Sequence, residues 1–520
     1  MRLGAIRGSF TFFHSRGLNL LAVILIALAS YECAELIVQD DLLTLYYVGL
    51  AVAGITVAIA ILTNWRVGLY SFMAWIMVED LVRKYLGNNM LIYFAKDFLL
   101  LMLCLSFFFA WRMSLRKAYK PPFLITLLVF FAYCLIQVFN PASKSIFYGL
   151  MGLKLYFFYV PLLVVGYALI DSEDQLRRFF LFNSVLILIV TAFGIVQSIL
   201  GPGFLNPAKI QEDIRSLSTL YRVSPLTGLV AYRPTSFFVS AGRFQNFLVV
   251  SWCLALGFGG FLLMRKMKGR SLGFLTVGVL AAGGLMTASR GVFVWLLVTG
   301  TVVIPGFMWG ASWRREQLER VMRIALRTML FVAAAIIILL ILYPQDLASR
   351  LAIYSETLSP YSPASELGFR SEEYPFQNFL AAFDYPRWPY GYGLGTASLG
   401  VQYAAKLLHV PPMNLGVENG YGQLVVEIGI AGLVLWILLA FRITTCAWRA
   451  AKGLRGTPWF PLAFAIFWYV FLIAVPMSFY GFIAYQDFIL NAYFWLMLGI
   501  LFRLSEVPFE SKVRQPSGPN

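Results

Sequence analysis

Apolar runs long enough to cross a lipid bilayer recur along the whole chain, for example LNLLAVILIALAS, FLITLLVFFAYCLI and FLFNSVLILIVTAFGIVQ. A bilayer core takes about 20 apolar residues of helix, and every backbone amide inside it must be paired within its own segment. With 60% hydrophobic and 13% charged residues among 520, the chain has too little polar surface for a water-soluble domain. We therefore predict an all-α, polytopic integral membrane protein.

Hydropathy predicts about 14 transmembrane helices. Their positions are 19–38, 42–62, 67–82, 92–110, 123–139, 148–170, 178–200, 236–264, 271–287, 291–310, 328–343, 419–441, 458–479 and 487–502. No small-residue cleavage site follows the first of them, so it is expected to be a membrane span and not a cleavable signal.

The predicted spans divide the chain into six parts. These are N-terminal helices (1–200), a first long loop (201–235), central helices (236–343), a second long loop with short amphipathic helices (344–418), C-terminal helices (419–503) and a tail (504–520). Long loops between membrane helices are where functional residues concentrate. We therefore expect the chemistry of this protein in the two long loops.

The Lys and Arg residues of the short loops predict which helix ends face the cytoplasm. Strongly basic connections lie at 111–120, 265–270, 313–327 and 442–455. Basic loops stay in the cytoplasm, so both termini are expected there and both long loops outside. Arg83 and Lys84 are an exception on the sparsely charged side. The net charge of +16 is mostly this bias, so it does not predict nucleic-acid binding.

The sequence predicts neither a cofactor nor a metal site. Only two histidines are present, and the five cysteines fall in or beside apolar spans without paired spacing, as structural thiols do. Neither a P-loop nor a dinucleotide-binding fingerprint is found.

Arginines gather in and beside the two long loops. They include Arg215, Arg222, Arg233 and Arg243 around the first loop, Arg290 in an SRG turn, and Arg370 in the second loop. A guanidinium group binds two phosphate oxygens at once and stays protonated, so these residues predict a phosphate or diphosphate site. Two alternatives stay open: Arg290 reaching to lipid head groups, and Arg215, Arg222 and Arg243 forming a solvated loop face.

The stretch ENGYGQLVVEIGIAG (418–432) begins a membrane helix with polar residues and carries a carboxylate two turns inside it. Asn419 is the expected N-cap, and Glu418 is either a capping residue or a catalytic base. Glu427 lies at a depth where an ionised group needs a partner, and we expect it to hold an arginine, Arg290 in particular. Gly429 and Gly432 are expected to admit a neighbouring helix.

These pieces, in this order, resemble a known family. RPTSFF (233–238), SRG (289–291), FRSEEYPFQNFLAAF (369–383), YGYGLG (390–395) and ENGYGQLVVEIGIAG (418–432) are similar to motifs of the O-antigen ligase and Wzy-type O-antigen (exopolysaccharide) polymerase superfamily. The resemblance covers roughly residues 178–440. It implies a metal-independent, GT-C-like membrane glycosyltransferase that uses undecaprenyl-diphosphate-linked glycans outside the bacterial cytoplasmic (inner) membrane.

The resemblance also implies roles for individual residues. Arg233 and Arg290, and with them Arg370, would bind the diphosphate of the donor, and Arg215, Arg222, Asn419 and Glu427 are further substrate-binding candidates. Ligases of this family have a histidine before the Asn of the E-x-G-x-x-G helix, whereas this chain has Glu418 there. The substitution favours a polymerase, which joins one lipid-linked repeat unit to another, with Glu418 as base.

Three alternatives to a polymerase stay open. A ligase would transfer the glycan to a lipid or protein acceptor, and a transporter or flippase would also carry intramembrane charges such as Glu79, Asp80, Lys96, Asp97 and Lys154. A scaffold of an export complex would use the loops to bind other proteins. The expected partners are the lipid-linked donor and acceptor, membrane lipids, and chain-length regulator or export-complex proteins.

Overall fold

The computed structural model describes most of the chain. The described residues are 54–86, 90–113, 119–207, 220–224, 227–265, 268–311, 341–358, 373–398, 415–481 and 484–506, with the single positions 319, 323, 330, 334, 337, 338 and 413. The predicted span 19–38, most of the spans 42–62 and 328–343, the end of the tail, and the candidates Arg215 and Arg370 lie outside them.

The described chain is mostly helical, with one short two-stranded hairpin. The helices are α1 (Gly54–Thr63), α2 (Trp65–Leu86), α3 (Met90–Met113), α4 (Leu124–Val138), α5 (Ile146–Phe157), α6 (Leu162–Leu169), α7 (Glu173–Leu200), α8 (Ala241–Arg265), α9 (Arg270–Met286), α10 (Arg290–Gly310), α11 (Pro344–Leu358), α12 (Tyr374–Leu380), α13 (Gly420–Gly453), α14 (Phe460–Ala474), α15 (Pro476–Phe479) and α16 (Phe488–Leu504). The strands are β1 (Tyr221–Val223) and β2 (Val230–Tyr232), paired antiparallel.

The prediction of a helical membrane protein is confirmed. Among the described residues, seven helical segments are long and apolar enough to cross a membrane: Ile92–Met113, Ile146–Leu169, Glu173–Leu200, Ala241–Arg265, Arg290–Gly310, Gly420–Gly453 and Phe460–Phe479. Helices α1, α4, α9 and α16 are apolar but shorter. The total of about 14 spans stays a prediction.

The chain divides into two compact units. One contains the described residues up to Ser71 together with Leu99–Ala110. Within it, the edge of Trp65 meets Phe107 with ring centroids 5.2 Å apart, and Ser106 Oγ donates to Leu62 O over 3.2 Å. The other unit contains Phe72–Phe98 and the described residues from Trp111 onward.

The core of the larger unit is built from α8, α14 and α16, whose side chains are buried along most of their length. Helix α8 packs against α9, α10 and α14; α14 also contacts α13 and α16. Helix α16 packs along α6, α7 along α9, and α4 against both α5 and α13. Buried on nearly all sides, such helices must be apolar all round, as their sequences are.

Both long loops meet at one end of this bundle, which we call the loop end. There α7 and α9 end and α8, α10, α13 and α16 begin: Arg350 Nη2 donates to Ser198 O (3.2 Å), and Arg350 Nε to Met286 O (3.2 Å). Gly420 N donates to Gly481 O over 2.7 Å at the same end. Helices α10, α13 and α16 begin with side-chain N-caps. Ser289, Asn419 and Asp487 each accept a backbone N–H of the first turn.

The opposite end of the larger unit carries the basic loops, and we call it the basic end. Arg265 forms a bidentate ion pair with Glu173, and Arg503 Nε donates to Ile170 O over 2.9 Å. The Arg455 guanidinium stacks over the Trp309 ring, 4.1 Å from its centroid. The two ends therefore differ: the basic end carries cations that are ion-paired or exposed to solvent, and the loop end carries the two long loops.

Candidate functional site

Arg290 begins α10 at the loop end and is only 8% exposed. The turn that places it is tight, because Ala288 has a φ of 49°, a left-handed conformation uncommon for a residue other than glycine. Ser289 caps the helix by accepting from Val292 N over 3.5 Å. The backbone at Arg290 is therefore fixed at a helix start, where the positive end of the helix dipole adds to the positive charge of its side chain.

Gln245 joins Arg233 to this turn. Its Oε1 accepts hydrogen bonds from Ser289 Oγ (2.9 Å) and from Arg233 Nη2 (3.4 Å). Its Nε2 is buried and has no hydrogen-bond partner within the described part of the chain. The structure thus links Arg233 to the turn that carries Arg290 through Gln245, whose buried amide donor sequence reasoning missed.

The hairpin of the first loop adds a third arginine. Tyr221 is paired with Tyr232 and Arg222 with Ala231, so Arg222 lies beside the chain that leads to Arg233. Burial, together with the positive charge of Arg222, lowers the pKa of the Arg233 guanidinium. Like charges held close together in a partly buried place attract an anion, since it relieves their repulsion.

A carboxylate lies within the same cluster. Glu356, on α11 and 5% exposed, has its Oε2 3.8 Å from Arg290 Nη2 and accepts a hydrogen bond from Ser224 Oγ through Oε1. The first loop supplies Ser224 and the second supplies Glu356, so the two loops are tied together beside Arg290. We call Arg222, Arg233, Gln245, Arg290 and Glu356 the arginine site.

Arg350 is fully buried and supports this site through hydrogen bonds to backbone carbonyls. Its guanidinium donates to Met286 O, Ser198 O and, over 3.5 Å, Tyr232 O. Buried carbonyls at chain turns need such donors. The face of α11 that carries Arg350 and Glu356 also carries the buried Ile353 and Tyr354. This mixture of charged and apolar residues at helical spacing is the sequence feature that could have drawn attention to Arg350 and Glu356.

Arg243 is an ion-paired residue, and the alternative of a solvated loop position is wrong for it. Its Nη1 lies 2.6 Å from Asp80 Oδ2, and its Nε lies 3.4 Å from Asp487 Oδ2. Arg83 Nη1 shares Asp80 over 3.1 Å. The chain of two carboxylates and two guanidinium groups ties α2, α8 and the start of α16 together at the loop end.

The other intramembrane charges are paired as well. Lys96 Nζ lies 2.7 Å from Glu79 Oε1, and Lys154 forms an ion pair with Asp97. These residues had kept a transport function open, because unpaired charges along a path would carry a substrate. Because each charge is neutralised by its partner, these ion pairs suit a structural role, in which they hold α2, α3 and α5 together, as well as a transport function.

Asn419 organises the start of α13. It is completely buried, its Oδ1 accepts from Gly422 N over 2.8 Å, and its Nδ2 donates to Pro375 O (3.0 Å) and Phe479 O (2.7 Å). The expected N-cap is confirmed, and the same side chain fixes α12 and α15 against α13. Glu418 beside it is exposed and accepts a hydrogen bond from Tyr374 OH.

Glu427 does not pair with Arg290, and that expectation is wrong. Its buried carboxylate accepts hydrogen bonds from Ala397 N (3.2 Å), Gln423 Nε2 (3.3 Å) and Tyr156 OH (3.4 Å), and its contacts within the described chain include no arginine. Arg290 approaches Glu356 instead. Neutral donors from the second loop and α5 satisfy Glu427, so its role here is structural.

Gly429 breaks α13, contrary to the expectation that it admits a neighbouring helix. Its φ of 72° and ψ of −179° interrupt the helix, and a Cβ there would lie 2.5 Å from Pro389 O. The segment 389–398, which we call the glycine loop, packs against the break. Backbone groups of the broken turn are bonded from outside the helix: Val426 O by Tyr392 N (2.9 Å), Glu427 O by Gly393 N (2.8 Å) and Ile428 O by Tyr133 OH (2.7 Å).

The arginine site and the start of α13 lie on adjoining elements. Trp295, on α10 beyond Arg290, meets the Tyr480 ring edge-on with centroids 6.0 Å apart, and Tyr480 follows Phe479, whose carbonyl binds Asn419. The described contacts link Arg233 through Gln245 to Ser289, the residue before Arg290. Glu418 and Asn419 form a second group, which the Trp295–Tyr480 contact connects to α10.

The arrangement offers guanidinium groups and a buried amide for an anion, and an exposed carboxylate for a proton. Among the described residues, no group of three or more His, Cys, Asp or Glu side chains is placed to hold a metal ion. Cys104, Cys134, Cys253 and Cys446 are free thiols. No family model matches this chain, and no curated protein matches it either.

Proposed function

We propose that this protein is a polysaccharide polymerase, a membrane glycosyltransferase that transfers an undecaprenyl-diphosphate-linked glycan onto another lipid-linked repeat unit. The observation that carries the proposal is the arginine site, in which Gln245 links Arg233 to the turn that begins with Ser289 and Arg290, at the end of the bundle where the long loops lie. Two guanidinium groups and an amide donor suit a diphosphate. The family resemblance supplies the substrate class.

The proposed reaction is an in-line displacement at the anomeric carbon of the donor. The hydroxyl oxygen of the acceptor sugar forms the new bond to that carbon while the bond to the diphosphate oxygen breaks. Arg233 and Arg290 neutralise the charge that grows on the leaving undecaprenyl diphosphate. Glu418, exposed at the start of α13, takes the proton of the acceptor hydroxyl.

We place the reaction at the outer face of a bacterial cytoplasmic membrane. The support is the basic end, where Arg442, Arg449, Lys452 and Arg455 follow or end α13, because basic loops stay in the cytoplasm. Lipid-linked donor and acceptor would then reach the arginine site from the bilayer. A chain-length regulator or another export-complex protein would bind the outer loops.

A transporter is the second candidate, and the broken helix α13 is the observation that favours it, because discontinuous helices line the sites of many transporters. In those proteins the carbonyls freed by the break bind the substrate or ion. Here Val426 O, Glu427 O and Ile428 O already accept hydrogen bonds from the protein. Because these carbonyls are already occupied, the break gives the transporter little support.

The test is the length of the glycan chains in membranes of a host that makes the lipid-linked repeat unit, measured by gel at matched protein levels. We expect the intact protein to give ladders. Arg290→Ala is expected to leave single repeats on the outer face, and Arg290→Lys to lose about tenfold or more of the polymer, because lysine keeps the charge but lacks the two-pronged donor. Arg442→Lys, an exposed arginine at the basic end, is the matched control.

The same gel tests the base. Glu418→Gln is expected to reduce polymer by about 100-fold or more, the usual contribution of a positioned general base. Glu506→Gln is the control, because Glu506 is also exposed and also accepts from a tyrosine hydroxyl, that of Tyr167, at the basic end. Repeats that accumulate on the cytoplasmic face would show a transporter, and single repeats moved to a lipid or protein acceptor would show a ligase.

A further inference from the structure

The chain segment that follows Arg233 is held by a dense set of buried hydrogen bonds. Thr235 and Ser236 are completely buried, and Gln197 Oε1 accepts from both of their backbone N–H groups, over 2.8 Å and 2.6 Å. Ser236 Oγ donates to Val190 O over 2.6 Å. Ser236 has a φ of 50°, a conformation that costs energy in any residue but glycine and persists only where the surroundings impose it.

A lysine from a distant part of the chain completes this set. Lys84, on α2 and 2% exposed, donates through Nζ to Thr235 Oγ1 (2.9 Å) and to Ser236 O (2.8 Å). One turn earlier on the same helix, Asp80 Oδ2 accepts from Val239 N over 3.3 Å. Helix α2 thus grips both ends of the short turn between Arg233 and α8.

The choice of lysine at this position needs an explanation. An ammonium group buried at membrane depth is costly, and its bonds here go to a neutral hydroxyl and a neutral carbonyl. Lys84 is also an exception to the charge rule of the short loops, because it lies at the loop end. An ammonium or amine nitrogen carries more than one N–H, so Lys84 Nζ donates to both Thr235 Oγ1 and Ser236 O and fixes the strained turn at two points.

We propose that Lys84 is a positioning residue for the arginine site. It holds the turn at Thr235 and Ser236 so that the Arg233 guanidinium, two residues before Thr235, lies beside Gln245 and meets the phosphate oxygens of the ligand. The inference rests on the proposed function for the identity of that ligand, a lipid diphosphate. Lys84 itself does not touch the ligand.

The test is the binding of undecaprenyl diphosphate to the purified full-length protein in detergent, compared among variants in a double-mutant cycle. Lys84→Met is expected to weaken binding by about tenfold, the effect of one misplaced guanidinium contact. In an Arg233→Ala background the same change is expected to weaken binding by less than about twofold, since there is no guanidinium left to position. Lys154→Met, which removes a lysine of the same unit that is ion-paired with Asp97, is the control and is expected to bind like the intact protein.

Thr235→Val removes the hydroxyl that Lys84 binds, and this variant tests the positioning role if Lys84→Met does not fold. It is expected to weaken binding when Arg233 is present and to have little effect in the Arg233→Ala background. Equal losses with and without Arg233 would overturn the positioning role while leaving the proposed function intact. If the intact protein does not prefer undecaprenyl diphosphate to undecaprenol, the proposed function fails, and the positioning of a diphosphate-binding arginine fails with it.

Discussion

Glu356 places a negative charge inside a site that is otherwise suited to anions. Its Oε2 lies 3.8 Å from Arg290 Nη2, and both side chains are buried. At this separation two opposite charges attract by about 4 kcal/mol at the effective dielectric constant of a protein surface, before the cost of desolvating them. A diphosphate that binds Arg290 must therefore compete with Glu356.

Replacing this carboxylate is predicted to tighten anion binding. Glu356→Gln keeps an oxygen that can accept from Ser224 Oγ but removes the charge. We expect the affinity for inorganic pyrophosphate, measured by calorimetry on the purified protein, to rise about three- to tenfold, a usual size for a single charge at a binding site. Glu506→Gln is the control. An unchanged or weaker affinity would mean that the anion does not meet Arg290.

Single residues were only partly readable from the sequence. Arg233 and Arg290 stood out through the motifs RPTSFF and SRG, and Gln245 links Arg233 to the turn that carries Arg290. Glu356 did not stand out, since its partners Ser224 and Arg290 come from other parts of the chain. Hydrophobic periodicity reports which face of a helix is buried, but it carries no information on the partner across a loop.

Helix α13 shows why a motif of glycines was misread at the level of a whole element. E-x-G-x-x-G within an apolar run is the pattern of close helix packing. Gly429 instead takes a left-handed φ and ends one helical segment, and the glycine loop supplies the missing hydrogen bonds. A glycine in a helix can admit a neighbouring helix or interrupt its own helix. Which of the two occurs depends on whether another part of the chain donates hydrogen bonds to the interrupted carbonyls, and the local sequence does not show this.

Gly429→Ala is predicted to destabilise the protein strongly. The left-handed φ costs about 1–2 kcal/mol for alanine, and the new Cβ would overlap Pro389 O, at 2.5 Å. We expect the free energy of unfolding to fall by roughly 2–4 kcal/mol, seen as a Tm several degrees lower in detergent. Gly453→Ala, at the other end of α13 where a Cβ meets nothing within 4 Å, is the control. Equal Tm values for the two variants would contradict the helix break.

The larger unit has two chemically different ends, and the positive-inside rule predicts that they lie on opposite sides of the membrane. The general class, a helical membrane protein, followed from composition alone, because apolar runs of bilayer length have no other stable fold. That both long loops share one end followed from alternating the spans, and the contact of Arg350 with Ser198 and Tyr232 agrees with it. The hairpin was not predicted, because its strands have only three residues each.

Labelling of single cysteines is predicted to separate the two ends. In a background whose native cysteines are serine, Val230→Cys on the exposed hairpin should react with a membrane-impermeant maleimide in intact cells. Lys452→Cys, exposed at the basic end, should react only after the membrane is opened. The reverse pattern would place the arginine site in the cytoplasm and would contradict the proposal of a polymerase that acts at the outer face.

The glycine loop packs into the break in α13. As long as Tyr392 and Gly393 occupy the carbonyls of the broken turn, the first half of the helix, with Glu418 and Asn419 at its start, cannot realign with the second half. The second loop and this half-helix are therefore mechanically linked. Under the proposed function, a ligand that displaced the loop would therefore also change the angle of the half-helix that begins beside Glu418.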